Sequence, residues 1–528
     1  MVGQRIAAPG LVAIVGFLAC VEVASGVLQG FYTPIYSDIA DHLSVVDADV
    51  NWFEAAQLVF SALVVPPLAK LGDLIGHKRV LLLATLVTAA GSWAVAFAPS
   101  FTTFLIGWAI QGAYVVWLPL EVAIIHRRTA GTGRQGLLTR RAAAILVASL
   151  ELSVIVAALT SGALVGSVSM TALLAIPAVV VTACLVLIQL GIEDLPGTGA
   201  GGFDGGGLAL LTLVLGLVMG GLIAIRVSGP GSLLGWVLIL LGLAAVIPFS
   251  RVERARPDPL IDVPLLLSPG QWPIQLTAFL FGMSVLGAQI PLSTYARTDP
   301  DLAGYGLGTS AGFVSTLIGV YVIFLAVGAF TFPLAVRLFG QRRALGLAAR
   351  PGAVASGVRR VRWRGGGGSE PGRLATDDNE ASVRAGHRAA GVQAERRALA
   401  LATFLVTAGY GMWLLFHTHT WQALMNMAVA GIGSGALVAA LPAAAAAAAP
   451  PDRTGFATGM TNAAKTLGGA IASAVFAIAL AGHGISGPEE GHASLSGYLV
   501  VWGVCAATAL VAGLALLARR PATGASAG

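Results

Sequence analysis

The chain has 528 residues, of which 56% are hydrophobic and 11% charged, less than half the roughly one-quarter charged fraction of a water-soluble protein. This excludes a conventional soluble enzyme or a nucleic-acid-binding domain, whose surfaces must be solvated, and points to a lipid-facing surface. The net charge of +6 is informative mainly through where the charges fall. Apolar runs long enough to span a bilayer occur near Gly10–Tyr32, Asn51–Leu71, Val80–Ala98, Phe101–Ile125, Ala142–Val165 and Met170–Ile192. After a glycine-rich break they resume at Leu208–Ile225, Leu233–Phe249, Trp272–Pro291, Gly312–Val336, Ala398–Phe416, Ala423–Ala449, Thr458–Ala481 and Leu495–Leu517, about fourteen by the length criterion. The N-terminus imitates a signal peptide, but its apolar run is too long and many similar runs follow.

Basic residues orient these spans. With the N-terminus inside, the inner segments hold Arg5, Lys78, Arg79, Arg127, Arg128, Arg134, Arg140, Arg141, Arg251, Arg254, Arg256, Arg453, Arg519 and Arg520. The outer segments hold only Arg226 and Arg297, and the first outer loop (33–50) is acidic, with no lysine or arginine. Both termini are therefore expected in the cytoplasm, in a plasma membrane. The excess of arginine over lysine suggests a bacterial source. From Gly340 to Arg397 the chain is arginine-rich, contains Gly365-Gly366-Gly367-Gly368-Ser369, lacks a sustained hydrophobic period, and reads as a flexible cytoplasmic linker. Its cluster Arg359, Arg360, Arg362 and Arg364 suits anionic headgroups, although an unselected insertion explains it equally well. Cys20, Cys184 and Cys505 each lie inside an apolar run, without disulfide or metal spacing.

The loop after the second span reads Leu71-Gly72-Asp73-Leu74-Ile75-Gly76-His77-Lys78-Arg79. Glycine at position 76 permits a tight turn between antiparallel helices, and the basic pair anchors the loop at the inner face. This pattern resembles the signature loop of the major facilitator superfamily. Further likeness, at Gln111-Gly112 with Leu118-Pro119-Leu120, at Tyr305 to Gly312, and at Pro450 to Gly455 with Asn462 to Gly469, resembles the superfamily's fourteen-span drug/proton antiporter branch. The resemblance implies an all-α polytopic membrane protein of the major facilitator fold: two six-helix bundles plus two extra helices. The expected division is 1–195 for the N-terminal bundle, 196–270 for the two linking spans, 271–339 and 398–528 for the C-terminal bundle, and 340–397 for the loop. Leu71, Asp73, Gly76, Lys78 and Arg79 would form a conformational latch. The sequence departs from the branch where Trp108 replaces an arginine, where the fifth span lacks its proline, and where no first-span aspartate keeps its distance from Pro34.

An ionisable group at a span centre costs about 2.5–3.5 kcal/mol on insertion scales, so it needs a reason to be there. Glu22 and Glu151 are central, with no basic partner evident in a span, and are proton-coupling candidates; a cation-binding role or a neutral hydrogen-bonded carboxyl is the alternative. Glu121, near Arg127 and Arg128, reads as a structural ion pair; Glu54 as interfacial; and Lys465 as a side chain reaching back to the inner surface. Gln29, Gln57, Trp108, Gln111, Trp117, Gln289 and Asn426 are substrate-cavity candidates, although helix–helix hydrogen bonding explains the amides equally well. No catalytic, phosphate-binding or metal-binding pattern emerges, so no cofactor and no enzymatic activity are expected, and the energy source would be a proton gradient. The expected function is proton-coupled export of a small amphipathic or cationic organic compound by a monomer. An uncoupled facilitator or uptake carrier of a small metabolite is the alternative, and a non-transporting receptor or scaffold a third reading.

Overall fold

The computed structural model describes residues 11–129, 135–194, 196–197, 204–257, 259–348, 374–450, 453–481 and 493–518. Arg5, Arg134, Arg519, Arg520 and the cluster Arg359, Arg360, Arg362 and Arg364 lie outside these. The described residues are helical apart from turns and one isolated bridge. The first six spans are built from α1 (Leu11–Gly30), α2 (Tyr36–Leu43), α3 (Asp47–Ile75), α4 (His77–Ala96), α5 (Phe101–Gln111), α6 (Trp117–Arg128), α7 (Gln135–Leu164) and α8 (Met170–Gly191). The extra pair follows as α9 (Gly205–Ser228) and α10 (Leu233–Ala255). The second half comprises α11 (Val263–Leu266), α12 (Trp272–Val285), α13 (Gln289–Arg297), α14 (Pro300–Ala303), α15 (Ala311–Ala348), α16 (Leu374–Trp413), α17 (Thr420–Ala447), α18 (Thr454–Ala481) and α19 (Leu495–Leu517).

Thirteen helical segments among the described residues are long and apolar enough to cross a membrane. The remaining expected span, 398–416, forms the last part of α16, where Leu399, Thr403, Val406, Tyr410 and Trp413 recur on one face and are buried. The segment 340–397, expected as a flexible linker, is helical at both ends: α15 runs on to Ala348 and α16 begins at Leu374. A span read as continuous, Phe101–Ile125, is interrupted by a 3-10 segment, Gly112–Val116. There a Cβ at position 112 would lie 2.6 Å from both the Gln57 carbonyl and the Ser61 hydroxyl of α3, so glycine is what lets the two backbones meet.

Each half has its own apolar core, one built on α1–α8 and one on α12–α19. The cores interlock at the end bearing residues 31–47, termed outer here after the expected orientation. Ile290 and Ala311 of the second half join the first core, and Ala48 joins the second. The halves meet along α3 with α18 and α7 with α15. The α9–α10 hairpin covers the α3/α18 seam, with Leu222 packed beside Trp52, Ala55, Ala474 and Ala477. Asp49 of α3 holds Arg226 of α9 at 2.7 Å.

Candidate functional site

Two sets of titratable groups within the spans stand out. The first lies between the halves. Glu151 is near the middle of α7, and Lys465 sits about three turns into α18, because that helix starts at Thr454. The expectation that Lys465 reaches the inner surface is therefore corrected. The two side chains interact electrostatically across the space between the halves without closing to a direct ion pair. Both are partly exposed although mid-helix, so they border open space. Tyr321 of α15 lies near Glu151 and near Ser434 of α17, adding a hydroxyl to the same wall. The sequence reading missed Lys465 as the partner of Glu151, and no local signal pairs residues so far apart in the chain.

That space closes at the outer end. Arg297 of α13 donates to Asp38 of α2 at 2.9 Å, and Ser293 donates to the Thr33 carbonyl at 2.5 Å. Deeper in, the Ser315 hydroxyl of α15 donates to the Ala158 carbonyl of α7 at 2.6 Å. Toward the other end, by contrast, every residue of α3 from Ala62 to Leu71 is partly exposed, whereas Asn51–Ala55 are buried. Exposure at successive positions on all sides of a helix cannot come from a single lipid-facing stripe. The opening between the halves therefore faces the end that carries Lys78 and Arg79.

The second set lies inside the first half. Glu22 of α1 and Glu121 of α6 are both fully buried, and their carboxyl groups lie within reach of each other. No other group hydrogen-bonds to any of their four oxygens. The expected Glu121 ion pair is corrected: Arg127 binds His77 at 3.3 Å and the Pro196 carbonyl at 2.7 Å, and Arg128 pairs with Glu193 at 2.8 Å. Both arginines are thus engaged with the segment that follows α8 and with His77, and neither reaches Glu121. Glu54, expected as interfacial, is 8% exposed and lies near Tyr36 and Tyr114.

The latch-loop residues form a network at the inner end. Gly76 has φ 109°, a value that favours glycine, and its N–H closes α3 by bonding the Gly72 carbonyl at 3.1 Å. Asp73 pairs with His77 at 3.3 Å, Lys78 donates to the Gln189 carbonyl at 3.0 Å, and Arg79 pairs with Asp194 at 2.9 Å. Leu71 is half-buried beside them.

The amide and indole candidates for the cavity are largely committed elsewhere. Gln111 donates to the Tyr32 and Ser92 hydroxyls at 3.1 Å each, and Gln57 donates to the Trp108 carbonyl at 3.3 Å. Trp108 is buried among Tyr32, Tyr36, Phe53 and Phe104, and Trp117 is buried against Tyr114. Asn426 of α17 donates to the Phe416 carbonyl at 2.7 Å, in the loop that follows α16. Gln29 is exposed and donates to Ser25 at 3.2 Å, while Gln289 is partly exposed. Trp108 and Gln111 do share a helix face, but it is turned into the first half's core.

The sequence profile of the Major Facilitator Superfamily matches residues 18–358, more than half of the chain. The chain belongs to that superfamily. This major facilitator protein is therefore a multi-pass membrane transporter, in a superfamily whose members are carriers. It is 26% identical over 347 residues to a uridine/deoxyuridine transporter of Lactococcus lactis subsp. cremoris, an alignment covering 61% of this chain and 69% of that one. Among solved structures it resembles the nucleoside transporter NupG (TM-score 0.57, 14% identity, 96% of this chain and 98% of that one). It also resembles an auto-inhibited peptide transporter of the POT family (0.61, 14%, 97% and 98%) and the human organic anion transporter MFSD10 (0.56, 13%, 96% and 100%). At these identities the structures show the fold alone. These relatives support the superfamily and do not single out its fourteen-span antiporter branch.

Proposed function

We propose that this chain is a proton-linked carrier of a small polar organic solute, with pyrimidine nucleosides the first class to test. The observation that carries the reading is the opposition of Glu151 and Lys465 on different halves, at mid-membrane depth, beside an opening between the halves. A carboxylate and an ammonium held apart in a low-dielectric space attract strongly. Protonating Glu151 removes that attraction and changes the cost of bringing α7 and α18 together. A solute with donors and acceptors fits the same gap, because it satisfies both groups. Solute and proton thereby bias one equilibrium, which is the thermodynamic content of coupling. The similarity to a uridine/deoxyuridine transporter supports the choice of solute and fits an uptake carrier at least as well as a drug exporter.

The test is flux into vesicles containing the purified protein, using labelled uridine beside a panel of small cationic and neutral compounds. Wild type should accumulate solute only under an imposed pH gradient. Glu151→Gln should retain solute exchange without accumulation, and Lys465→Gln should lose accumulation as well. A second reading is favoured by Trp108, which fills with apolar packing the position where the resemblance expects an arginine: an uncoupled facilitator. Wild-type flux that ignores the pH gradient would establish it and remove the proton-linked reading.

A further inference from the structure

The Glu22–Glu121 pair has no part in the cavity described above. From α8, Cys184 approaches both carboxyls, and from α1 itself Cys20 lies beside Cys184. From the 3-10 segment, Tyr114 interacts with Glu22 and also with Glu54 of α3. The cations on the neighbouring helix ends are engaged elsewhere: His77, Lys78, Arg79, Arg127 and Arg128 all bind partners at the inner surface. Glu151 of α7 interacts with Lys465 instead. Two carboxylates in contact, desolvated and without a cation, repel strongly, whereas one proton between them replaces that repulsion by a hydrogen bond. A metal ion is a poor substitute, because hard cations take six or more oxygens and no cluster of three or more acidic, histidine or cysteine ligands exists among the described residues.

We infer that Glu22 and Glu121 form a proton-binding site within the first half, separate from the solute opening and holding one shared proton at neutral pH. This deepens the proton-linked reading by placing a second proton beside the one at Glu151. Tyr114 interacts with both Glu22 and Glu54, so Glu54, in the outer part of α3, shares a neighbour with this pair. Loss of the shared proton would leave two like charges in contact between α1 and α6, forcing those helices apart. The site thus ties protonation to the packing of the first half without any contact to solute.

The experiment is infrared difference spectroscopy of the purified full-length protein at neutral pH in light and heavy water. Wild type should show the carbonyl stretch of a protonated carboxylic acid that shifts on deuteration and is insensitive to added sodium. The band should persist in Glu151→Gln and vanish in the Glu22→Gln/Glu121→Gln double variant. If the double variant does not fold, each single variant should shift the band, because the partner carboxylate becomes an amide. No such band in wild type, a band unchanged in the double variant or in both single variants, or a band abolished by sodium would overturn the inference. A correct band pattern in a protein whose flux ignores the pH gradient would uphold this site and refute only the coupling reading.

Discussion

Replacing Arg297 with alanine is the most direct probe of how the halves are held. In the structure its guanidinium donates to Asp38 at 2.9 Å, with the two side chains 21% and 22% exposed. A hydrogen bond to a charged group contributes roughly 1.5–3 kcal/mol. Partial solvation lowers this to about 1–2 kcal/mol, since well-exposed pairs contribute under about 1 kcal/mol. Asp47 lies near the same guanidinium and Asp41 near both aspartates, so removing it also leaves the acidic end of the first half without its cross-half cation. Because only the outer-closed state contains this contact, the closed-to-open ratio should fall about 5- to 30-fold. The assay is pulsed electron–electron distance measurement between spin labels at His42 and Leu302, both exposed at that end, with Cys20, Cys184 and Cys505 replaced by alanine. Arg297→Ala should enlarge the long-distance population, and the swap Asp38→Arg with Arg297→Asp should restore the short one. An unchanged distance distribution in Arg297→Ala would refute the assignment of this ion pair as an outer lock.

Two further substitutions test packing against function. A Cβ at Gly282 would lie 1.9 Å from the Lys465 carbonyl, so Gly282→Ala must push α12 off α18 at a cost of about 1–3 kcal/mol. Its thermal unfolding midpoint in detergent should drop, and an unchanged midpoint would mean the two helices are less tightly opposed. Gln111→Leu leaves the Tyr32 and Ser92 hydroxyls without their shared donor and should cost roughly 1–3 kcal/mol while leaving the KM for solute unchanged. A raised KM at unaltered thermal stability would instead return Gln111 to the cavity.

How far the sequence could be read follows from the range of each interaction. The spans, the tight turn at Gly76 and the basic inner-end residues were legible because hydropathy, left-handed backbone and loop charge are properties of contiguous residues. The mid-span positions of Glu22 and Glu151 were legible for the same reason. Their partners were not. Glu121 stands six residues before Arg127 in sequence, yet α6 turns its carboxyl inward to Glu22 and sends its arginines to the surface. Lys465 read as an end-of-helix residue because the apolar run appeared to start at Thr458, whereas α18 begins at Thr454 and places it deep between the halves. The aromatic and amide candidates shared the right helical faces, but a face is only a direction, and what it meets is set by the neighbouring helix. The sequence by itself therefore determined that this chain crosses a membrane many times, and at which end its basic residues gather. Only the tertiary structure decided which buried charges meet, because those meetings join helices from distant parts of the chain, where desolvation and proximity act through space.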